Sequence, residues 1–276
     1  MGDYREWVDL PELIIDTSET GIATLMLNRP DELNAWTYPL EARFFAALDA
    51  AAADPAIRVV VVTGAGRGFC AGASMRLLGD GDRSERPDRA TRRRLCELAE
   101  FPKPVIAAIN GPAAGLGFAL AVSCDIRFAA ADAKLTTSFA RLGLIAEHGV
   151  AWLLPRLVGG AAARDLLLSG RTVTGAEAAS MGLVNQAVAG PGTLAEALSY
   201  ARMLVQSGAP ASWATIKRQL LDADSLTLPA AYEQAARLMD QALLSPDHRE
   251  GVQAFRERRP PRFAPLDAAP GLIRDE

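Results

Sequence analysis

The stretch "KPVIAAINGPAAGLGFALAVSCDIRFAA", residues 103–130, decides the fold class. It begins with a short apolar run, passes through the glycine loop "NGPAAGLG" into an apolar helical run, and ends in a second β-rich run. A continuous apolar run bounded by turn residues is typical of a strand buried on both faces, and such strands need helices packed over them. The stretch therefore predicts an α/β fold.

The same order of elements occurs earlier in the chain. "ELIID" (12–16) and "IATLMLNRP" (22–30) are β-rich runs separated by a turn-prone segment, which predicts a hairpin. An alanine-rich helix is predicted over Pro39–Ala53, and "IRVVVVTGAG" (57–66) is a β-branched run closed by glycines. The core is therefore expected to consist of ββα units.

Beyond about residue 150 the sequence is mostly helical. Two segments have Thr followed three residues later by Glu, at Thr174/Glu177 and Thr193/Glu196, and this capping-box spacing predicts two helix starts. A short strand is predicted at "LVNQAV" (183–188). We predict a core over residues 1–205 and a C-terminal helical segment over 206–276, which we expect to be a packing or oligomerisation element.

Composition excludes several classes of protein. The chain has 276 residues, 50% of them hydrophobic, and a formal net charge of −4, so it can bury a large core and has no overall basic footprint for nucleic acid. The three cysteines are widely spaced, which predicts neither a disulfide framework nor a metal site. The N-terminus does not resemble a signal peptide, and no apolar run of about 18 residues predicts a membrane span. A cytoplasmic location is expected by default.

Two glycine loops follow predicted strands, in "GAGRGFCAGASMRLL" (64–78) and "NGPAAGLGFAL" (110–120). Glycines at strand-to-helix turns let the backbone approach a ligand closely, and free N–H groups in the first turn of a helix favour negative charge. The first loop does not fit the dinucleotide-binding pattern, and no phosphate-loop motif is present. Each loop alone is a weak signal.

Six motifs together resemble the crotonase superfamily of coenzyme A thioester enzymes. They occur in the order expected of that family and span nearly the whole chain: "LNRPDELNAW" (27–36), "GFCAGAS" (68–74), "AAINGPAAGLGFALAVSCDIRFAA" (107–130), "LGLIAEHG" (142–149), "PRLVG" (155–159) and "REGVQAFRERRPPRF" (249–263). The resemblance implies a crotonase-like spiral of ββα units, a helical C-terminal oligomerisation segment, and a homotrimer or homohexamer. It also implies an acyl-CoA substrate.

The resemblance gives the glycine loops a catalytic role. In this family two backbone N–H groups form an oxyanion hole around the thioester carbonyl, and by motif these donors are Ala73 and Leu116. Removing a proton next to a thioester places negative charge on the carbonyl oxygen, which preorganised donors stabilise by several kcal/mol. The alternative is that the glycines serve close packing alone.

The positions of acidic residues bear on the reaction. The hydratases of this family look as if they use two glutamates to add water. The positions of this chain that correspond to those glutamates are Ala119 and Phe139. An apolar pair cannot activate water, because general acid–base catalysis needs groups that titrate. A third family position for a catalytic carboxylate, used by enzymes that move double bonds, lies eight residues after Phe139 and is occupied by Glu147. The resemblance therefore implies Glu147 as base, against the alternative of a structural acid capping the following helix.

The neighbours of Glu147 are expected to modify its behaviour. Leu144, Ile145 and Val150 are predicted to remove solvent from the carboxylate and make it a better proton shuttle. His148 is adjacent in sequence, and successive side chains on a helix or turn point about 100° apart. We therefore expect His148 to face away from Glu147.

Further residues are expected to contact the substrate. The resemblance implies ligand contacts along the backbone from Ala73 through Ser74 and Met75 to Arg76, and also at Leu116 and Phe139. Arg29 and Arg76 are candidate phosphate contacts, because coenzyme A phosphates call for arginines, with solvated surface residues as the alternative.

Other groups are expected to have no direct chemical role. Cys70 is expected to be a buried packing thiol, and Asp125 is expected to fix a loop or pair with an arginine. No cofactor is expected beyond coenzyme A as part of the substrate, and neither a metal, a nucleic acid nor a membrane is an expected partner.

Isomerisation of an enoyl-CoA double bond is the favoured reaction. Hydration with the single acid Glu147 remains open, as do hydrolysis, decarboxylation or carbon–carbon cleavage of an acyl-CoA. A non-enzymatic alternative is an acyl-CoA binder that has kept the loops without the chemistry. Fold alone does not fix which of these applies.

Overall fold

The β-branched run at residues 57–66 forms a strand, Val59–Gly64, in which every residue is buried. The structure is a computed structural model, and it describes residues 12–78 and 92–266. Its strands are β1 (Leu13–Asp16), β2 (Ile22–Leu27), β3 (Val59–Gly64), β4 (Val105–Ile109), β5 (Ala113–Ala114), β6 (Ile126–Ala130), β7 (Lys134–Thr136), β8 (Val173–Thr174) and β9 (Gln186–Val188).

The helices follow the order expected of an α/β fold with a helical C-terminal part. They are α1 (Tyr38–Ala53), α2 (Met75–Leu78), α3 (Leu116–Ser123), α4 (Val150–Ser169), α5 (Gly175–Ser180), α6 (Thr193–Ser207), α7 (Pro210–Asp222), α8 (Leu228–Leu244) and α9 (Pro246–Glu257). Short 3-10 turns occur at Pro30–Glu32, Leu95–Ala99 and Ala140–Leu142.

The main sheet has the strand order β1-β2-β3-β4-β6-β9. The predicted hairpin is confirmed, since β1 pairs antiparallel with β2, and every later pairing in this sheet is parallel. Strands β5, β7 and β8 form a second, smaller sheet. The parallel strands are joined by crossover connections that contain helices, such as α1 between β2 and β3 and α3 between β4 and β6. This is the repeating ββα arrangement that the sequence predicts.

Side chains of β3 alternate between two apolar layers. Val60 and Val62 pack in the core shared with α1, whereas Val59 and Val61 pack in the core shared with α6. Burying a valine side chain stabilises the fold by roughly 1.5–3 kcal/mol relative to leaving it exposed. The sheet is thus covered on both faces. The two glycine loops follow the ends of the central strands β3 and β4.

The predicted helix starts have mixed outcomes. The Thr174 hydroxyl accepts a hydrogen bond from Glu177 N at 3.1 Å, as predicted. At Thr193 the helix start is confirmed, since α6 begins there, but the predicted cap is wrong: Gly192 is the N-cap, its carbonyl accepts from Glu196 N, and Thr193 is buried as the first residue of the helix. The predicted alanine-rich helix is confirmed as α1, with Thr37 as its cap.

Asp125 connects the sheet to the C-terminal helices. Its carboxylate accepts from Val105 N at 2.7 Å and from Lys217 Nζ at 2.5 Å, so it fixes a loop as expected but pairs with a lysine rather than an arginine. Lys217 Nζ also donates to the carbonyls of Leu98 and Lys103. One side chain of α7 therefore holds α7 onto the core.

The predicted boundary between residues 205 and 206 falls within α6, which ends at Ser207, and the division into domains stays a prediction. Most of the predicted charged loop over residues 79–94 lies outside the described residues. Within the two described ranges, no helix is long and apolar enough to cross a membrane.

Candidate active site

The two glycine loops meet backbone to backbone. Cys70 pairs with Ala113, and the Cys70 carbonyl accepts a hydrogen bond from Ala114 N at 3.0 Å. A Cβ atom on Gly117 would lie 2.0 Å from the Cys70 carbonyl oxygen, and one on Gly72 would lie 2.8 Å from the Ala114 carbonyl oxygen. Since real Cβ atoms do not approach backbone so closely, these two positions require glycine.

Ala73 and Leu116 lie on the adjoining parts of these loops. The Gly72 carbonyl accepts from Trp36 N and the Trp36 carbonyl accepts from Ser74 N, a pairing that skips the N–H of Ala73. Leu116 is the first residue of α3, where a backbone N–H has no partner within the helix. Neither N–H donates a backbone hydrogen bond within the described ranges, so both are available to a ligand oxygen.

A third segment holds the first loop in place. Asn34 is fully buried with φ of 58°, and its side chain donates to the carbonyls of Ala65 and Gly68 and accepts from Arg29 N. The sequence analysis did not identify this residue. The signal was available in "LNAW", because a buried asparagine tolerates positive φ and can bond to nearby backbone.

The side chains that follow Ala73 differ in exposure. Ser74 is buried at the start of α2, and the Met75 side chain is 80% exposed. The Arg76 side chain lies outside the described part of the structure, so its predicted phosphate contact stays a prediction.

Ala119 and Phe139 are sealed in the core. Ala119 is fully buried one turn after Leu116 on α3, and Phe139 is buried just before the 3-10 turn at Ala140–Leu142. Neither side chain can exchange a proton. The two positions where the resemblance implies hydratase acids are therefore apolar and buried, and substrate contact by Phe139 stays a prediction.

Glu147 lies on the loop that leads into α4. Its side chain is 40% exposed, and the side chains of Leu144 and Ile145 also face solvent, at 46% and 81% exposure. The predicted desolvation is therefore wrong for the single chain: Val150 is buried, but Leu144 and Ile145 do not cover the carboxylate. An accessible carboxylate can still reach a bound substrate.

His148 does not face away from Glu147, so that expectation is wrong. Both His148 and Gly149 have positive φ, 51° and 78°, so the rule for successive helical side chains does not apply. His148 Nε2 lies 3.9 Å from Glu147 Oε2, and the imidazole is buried. Burial and the positive charge of Arg92 lower the pKa of His148 to about 4, so the ring is neutral at physiological pH.

Arg29 is already paired. Its guanidinium bonds to the carboxylates of Glu12 and Glu32, and its side chain is 18% exposed. A phosphate would have to compete with both acids, so the phosphate contact stays a prediction that the geometry does not favour.

Cys70 is fully buried, and burial raises the pKa of its thiol to about 12. A thiol that stays protonated is a poor nucleophile, which agrees with the expected packing role. Among the residues that the structure describes, no cluster of His, Cys, Asp and Glu could hold a metal ion.

Comparison with known proteins identifies what this architecture resembles. The family model described as enoyl-CoA hydratase/isomerase matches residues 17–265. The 1,2-epoxyphenylacetyl-CoA isomerase of Escherichia coli K12 is 36% identical over 258 residues, covering 91% of this chain and 98% of that protein. A probable enoyl-CoA hydratase of Rhodobacter capsulatus is 38% identical over 249 residues, covering 88% and 94%.

Solved structures agree. The crystal structure of a probable enoyl-CoA hydratase/isomerase from Mycobacterium abscessus superposes with a TM-score of 0.85 at 33% identity, covering 93% of this chain and all of that one. An enoyl-CoA hydratase from Polaromonas sp. JS666 gives 0.83 at 34% identity, covering 91% and 99%. The predicted crotonase-like fold is therefore confirmed.

Proposed function

The chain belongs to the enoyl-CoA hydratase/isomerase family, and from this premise we propose that it moves a carbon–carbon double bond along an enoyl-CoA thioester. In this proposal the Glu147 carboxylate removes a proton from C2 of a 3-enoyl thioester. The electron pair forms a dienolate whose charge lies on the thioester oxygen. Glu147 then returns the proton at C4, which gives the 2-enoyl thioester with no change in mass.

The observation that carries this proposal is the distribution of acids. Both positions that hold hydratase glutamates are apolar and buried, at Ala119 and Phe139, while Glu147 remains accessible to solvent. Hydration across a double bond needs groups that activate water and protonate carbon, whereas a double-bond shift needs one base that accepts and returns a proton. Glu147 alone is sufficient for the second reaction.

The backbone supports the same chemistry. The N–H groups of Ala73 and Leu116 are available on loops that touch each other, and rigid donors of this kind stabilise developing negative charge by several kcal/mol. The glycines keep this geometry fixed before substrate binds. The donors serve any reaction that passes through an enolate, so they support the acyl-CoA substrate class rather than the isomerase reaction itself.

Names of relatives support both isomerisation and hydration. The Escherichia coli relative is named an isomerase of an acyl-CoA, and the Rhodobacter capsulatus relative is named a hydratase. We keep hydration with Glu147 as the second candidate for that reason.

Product analysis tests the proposal. Purified protein is incubated with trans-2-, trans-3- and 2,5-dienoyl-CoA thioesters, and products are followed by mass and ultraviolet absorbance. The expected result is a double-bond shift without mass change, lowered about 10²–10⁴-fold by Glu147→Gln. The matched control is Glu196→Gln, which removes an exposed carboxylate on α6 and is expected to retain activity. Gain of one water would assign hydration instead, and hydrolysis to free coenzyme A would assign a third reaction.

We also propose that the chain assembles as a homotrimer or homohexamer through its C-terminal helices. Helix α8 has no buried residue in the single chain, and large apolar side chains on it face solvent: Leu228, Tyr232, Met239 and Leu244. Light scattering tests this proposal, and a monomer at micromolar concentration would contradict it.

A further inference from the structure

The turn that carries Glu147 has an unusual backbone. His148 and Gly149 lie consecutively in the left-handed region, and an L-residue such as histidine adopts that region at an energetic penalty. Strain of this kind persists when the surroundings hold it in place, and it is concentrated at functional sites. The contacts of the His148 ring show what holds this turn.

The His148 ring is anchored through one nitrogen. Nδ1 accepts a hydrogen bond from Leu95 N at 3.1 Å. Because Nδ1 is the acceptor of a neutral imidazole, the ring proton lies on Nε2. The ring is therefore held as a hydrogen-bond donor at its far end, which is the end near Glu147.

The nitrogen that donates points at the carboxylate region. Nε2 is 3.9 Å from Glu147 Oε2, which is about 1 Å longer than a hydrogen bond. The His148 side chain is 5% exposed, whereas the Glu147 side chain is 40% exposed. Closing the remaining distance of about 1 Å would make the hydrogen bond.

The platform beneath His148 is itself firmly held. Leu95 begins the 3-10 turn Leu95–Ala99, where the Glu97 carboxylate accepts from Arg94 N and pairs with Arg93. Lys217 Nζ donates to the Leu98 carbonyl from α7. The Cα of Gly149 packs so tightly on this turn that an added Cβ would lie 2.9 Å from Cys96 Cβ. The turn therefore sets the position of His148.

We propose that His148 is a positioning residue that donates a hydrogen bond from Nε2 to the Glu147 carboxylate and so fixes the oxygen that carries the substrate proton. This inference rests on the proposed role of Glu147 as base. No proton passes through the imidazole. The ring holds one carboxylate oxygen, and the other oxygen accepts the proton and returns it.

The charged groups around the ring favour this role. Arg92 and Glu97 lie near the imidazole on one segment, Glu147 precedes His148 on its own turn, and the thiol of Cys96 lies against Gly149. Arg92 disfavours a second positive charge on the ring, and burial acts in the same direction. His148 therefore remains a neutral donor with one defined tautomer.

Two substitutions of His148 separate the hydrogen bond that Nδ1 accepts from the hydrogen bond that Nε2 is proposed to donate. In His148→Asn, the side chain can accept from Leu95 N and tolerates positive φ, but it does not reach Glu147. In His148→Gln, the side-chain amide reaches as far as Nε2 and can donate to Glu147, although glutamine tolerates the turn less well. A structural role predicts that Asn is the better replacement, whereas a positioning role predicts that Gln is.

The kinetic test compares these variants in isomerisation of a trans-3-enoyl-CoA. We expect His148→Asn to lower kcat between about tenfold and a hundredfold with KM little changed, and His148→Gln to recover part of the loss. In a Glu147→Gln background, His148→Asn should have no further effect, because its effect acts through the carboxylate. Full activity of His148→Asn, or an additive loss in the double variant, would overturn the proposal.

A spectroscopic test does not depend on activity. The chain has two histidines, and ¹⁵N-histidine labelling with His248→Gln assigns their signals. We expect His148 to show a bare Nδ1 and a protonated Nε2 down to about pH 5. An Nδ1–H tautomer would overturn the proposal.

If Glu147→Gln remains fully active, the proposed function fails. If Glu147→Gln is inactive while both His148 variants are fully active, the positioning role alone fails.

Discussion

The two glycine loops and the turn that carries Glu147 are the two regions on which the proposed function depends, and they are built on opposite principles. The loops are made of backbone: Gly72 and Gly117 bring two chain segments into contact, and the atoms proposed to act are main-chain N–H groups. The turn depends on side chains: Glu147 is half exposed, and its neighbour His148 accepts a hydrogen bond from Leu95 N.

This difference predicts which positions tolerate amino-acid substitution. A close backbone approach leaves no room for even one methyl group, so the loops should respond to the smallest substitutions. An exposed carboxylate depends on few packing contacts, so its replacement should change chemistry with little effect on folding.

Gly117→Ala should have the largest effect. Its Cβ would lie 2.0 Å from the Cys70 carbonyl oxygen, and relieving this overlap requires one loop to move. We expect the free energy of unfolding to fall by about 3 kcal/mol or more, together with loss of activity. Denaturant unfolding and the isomerase assay measure the two effects.

The matched control for that substitution is Gly251→Ala in α9. This glycine is also helical, and its Cβ would meet Phe263 at 3.5 Å, an ordinary contact. We expect stability to stay unchanged or to rise by about 0.5–1 kcal/mol. Equal destabilisation by both substitutions would contradict the backbone-contact explanation.

Replacing the Leu116 N–H with an ester oxygen should have the next largest effect. Incorporation of the α-hydroxy analogue of leucine keeps the side chain and removes one oxyanion donor. We expect kcat to fall about 10²–10³-fold with little loss of stability, because this N–H has no partner within the helix. The same ester at Leu194, in the first turn of α6, should leave kcat unchanged, and an equal loss there would show a structural effect.

The pH dependence of stability should reveal the buried imidazole. Burial and the charge of Arg92 lower the pKa of His148 to about 4 in the folded chain, against about 6.5 for an unperturbed histidine, so the unfolded chain binds a proton that the folded chain does not. Stability is therefore fully present above about pH 6.5 and falls by about 3 kcal/mol on acidification to about pH 4. Denaturant titrations at several pH values measure the fall.

A substitution that removes the imidazole should flatten this dependence. We expect His148→Gln to lose that part of the slope between about pH 4 and 6.5, while His248→Gln, on the exposed surface of α9, keeps it. Identical slopes for wild type and His148→Gln would mean that the imidazole is accessible to protons in the folded chain.

Ile145→Ser should have the smallest effect. The Ile145 side chain is 81% exposed two residues before Glu147, so we expect unfolding of the monomer to change by less than about 0.5 kcal/mol. A loss above about 1 kcal/mol would show that this turn is packed as tightly as the loops, which would remove the contrast between the two regions.

The same contrast explains what could be predicted from the sequence. Strand runs such as "VVVV" are local patterns, so the α/β fold and the strand β3 could be recognised directly, whereas the pairing of the two glycine loops was implied only by the family resemblance. Conformation that depends on distant contacts could not: the burial of Asn34 against Ala65 and Gly68, and the left-handed turn at His148, appear first in the structure.

The errors have identifiable physical causes. Leu144 and Ile145 are apolar, but apolar residues near an acid in sequence do not necessarily cover it in the fold, and here they face solvent. Thr193 fits the capping-box spacing, yet Gly192 is the N-cap, so Thr193 is the first residue of α6 rather than its cap. In both cases the residue types fitted a local sequence pattern, but the side chains do not make the contacts that the pattern predicts.

Comparing turnover with binding in Glu147→Gln tests whether this carboxylate is the base. Isomerisation of a trans-3-enoyl-CoA is followed at saturating substrate, and the affinity for a saturated acyl-CoA is measured by calorimetry on the same samples. We predict that turnover falls at least about 10²-fold while affinity and unfolding stay within about threefold and about 0.5 kcal/mol of wild type. Retained turnover, or an equal loss of affinity, would contradict the assignment of Glu147 as the base that works with the backbone oxyanion donors.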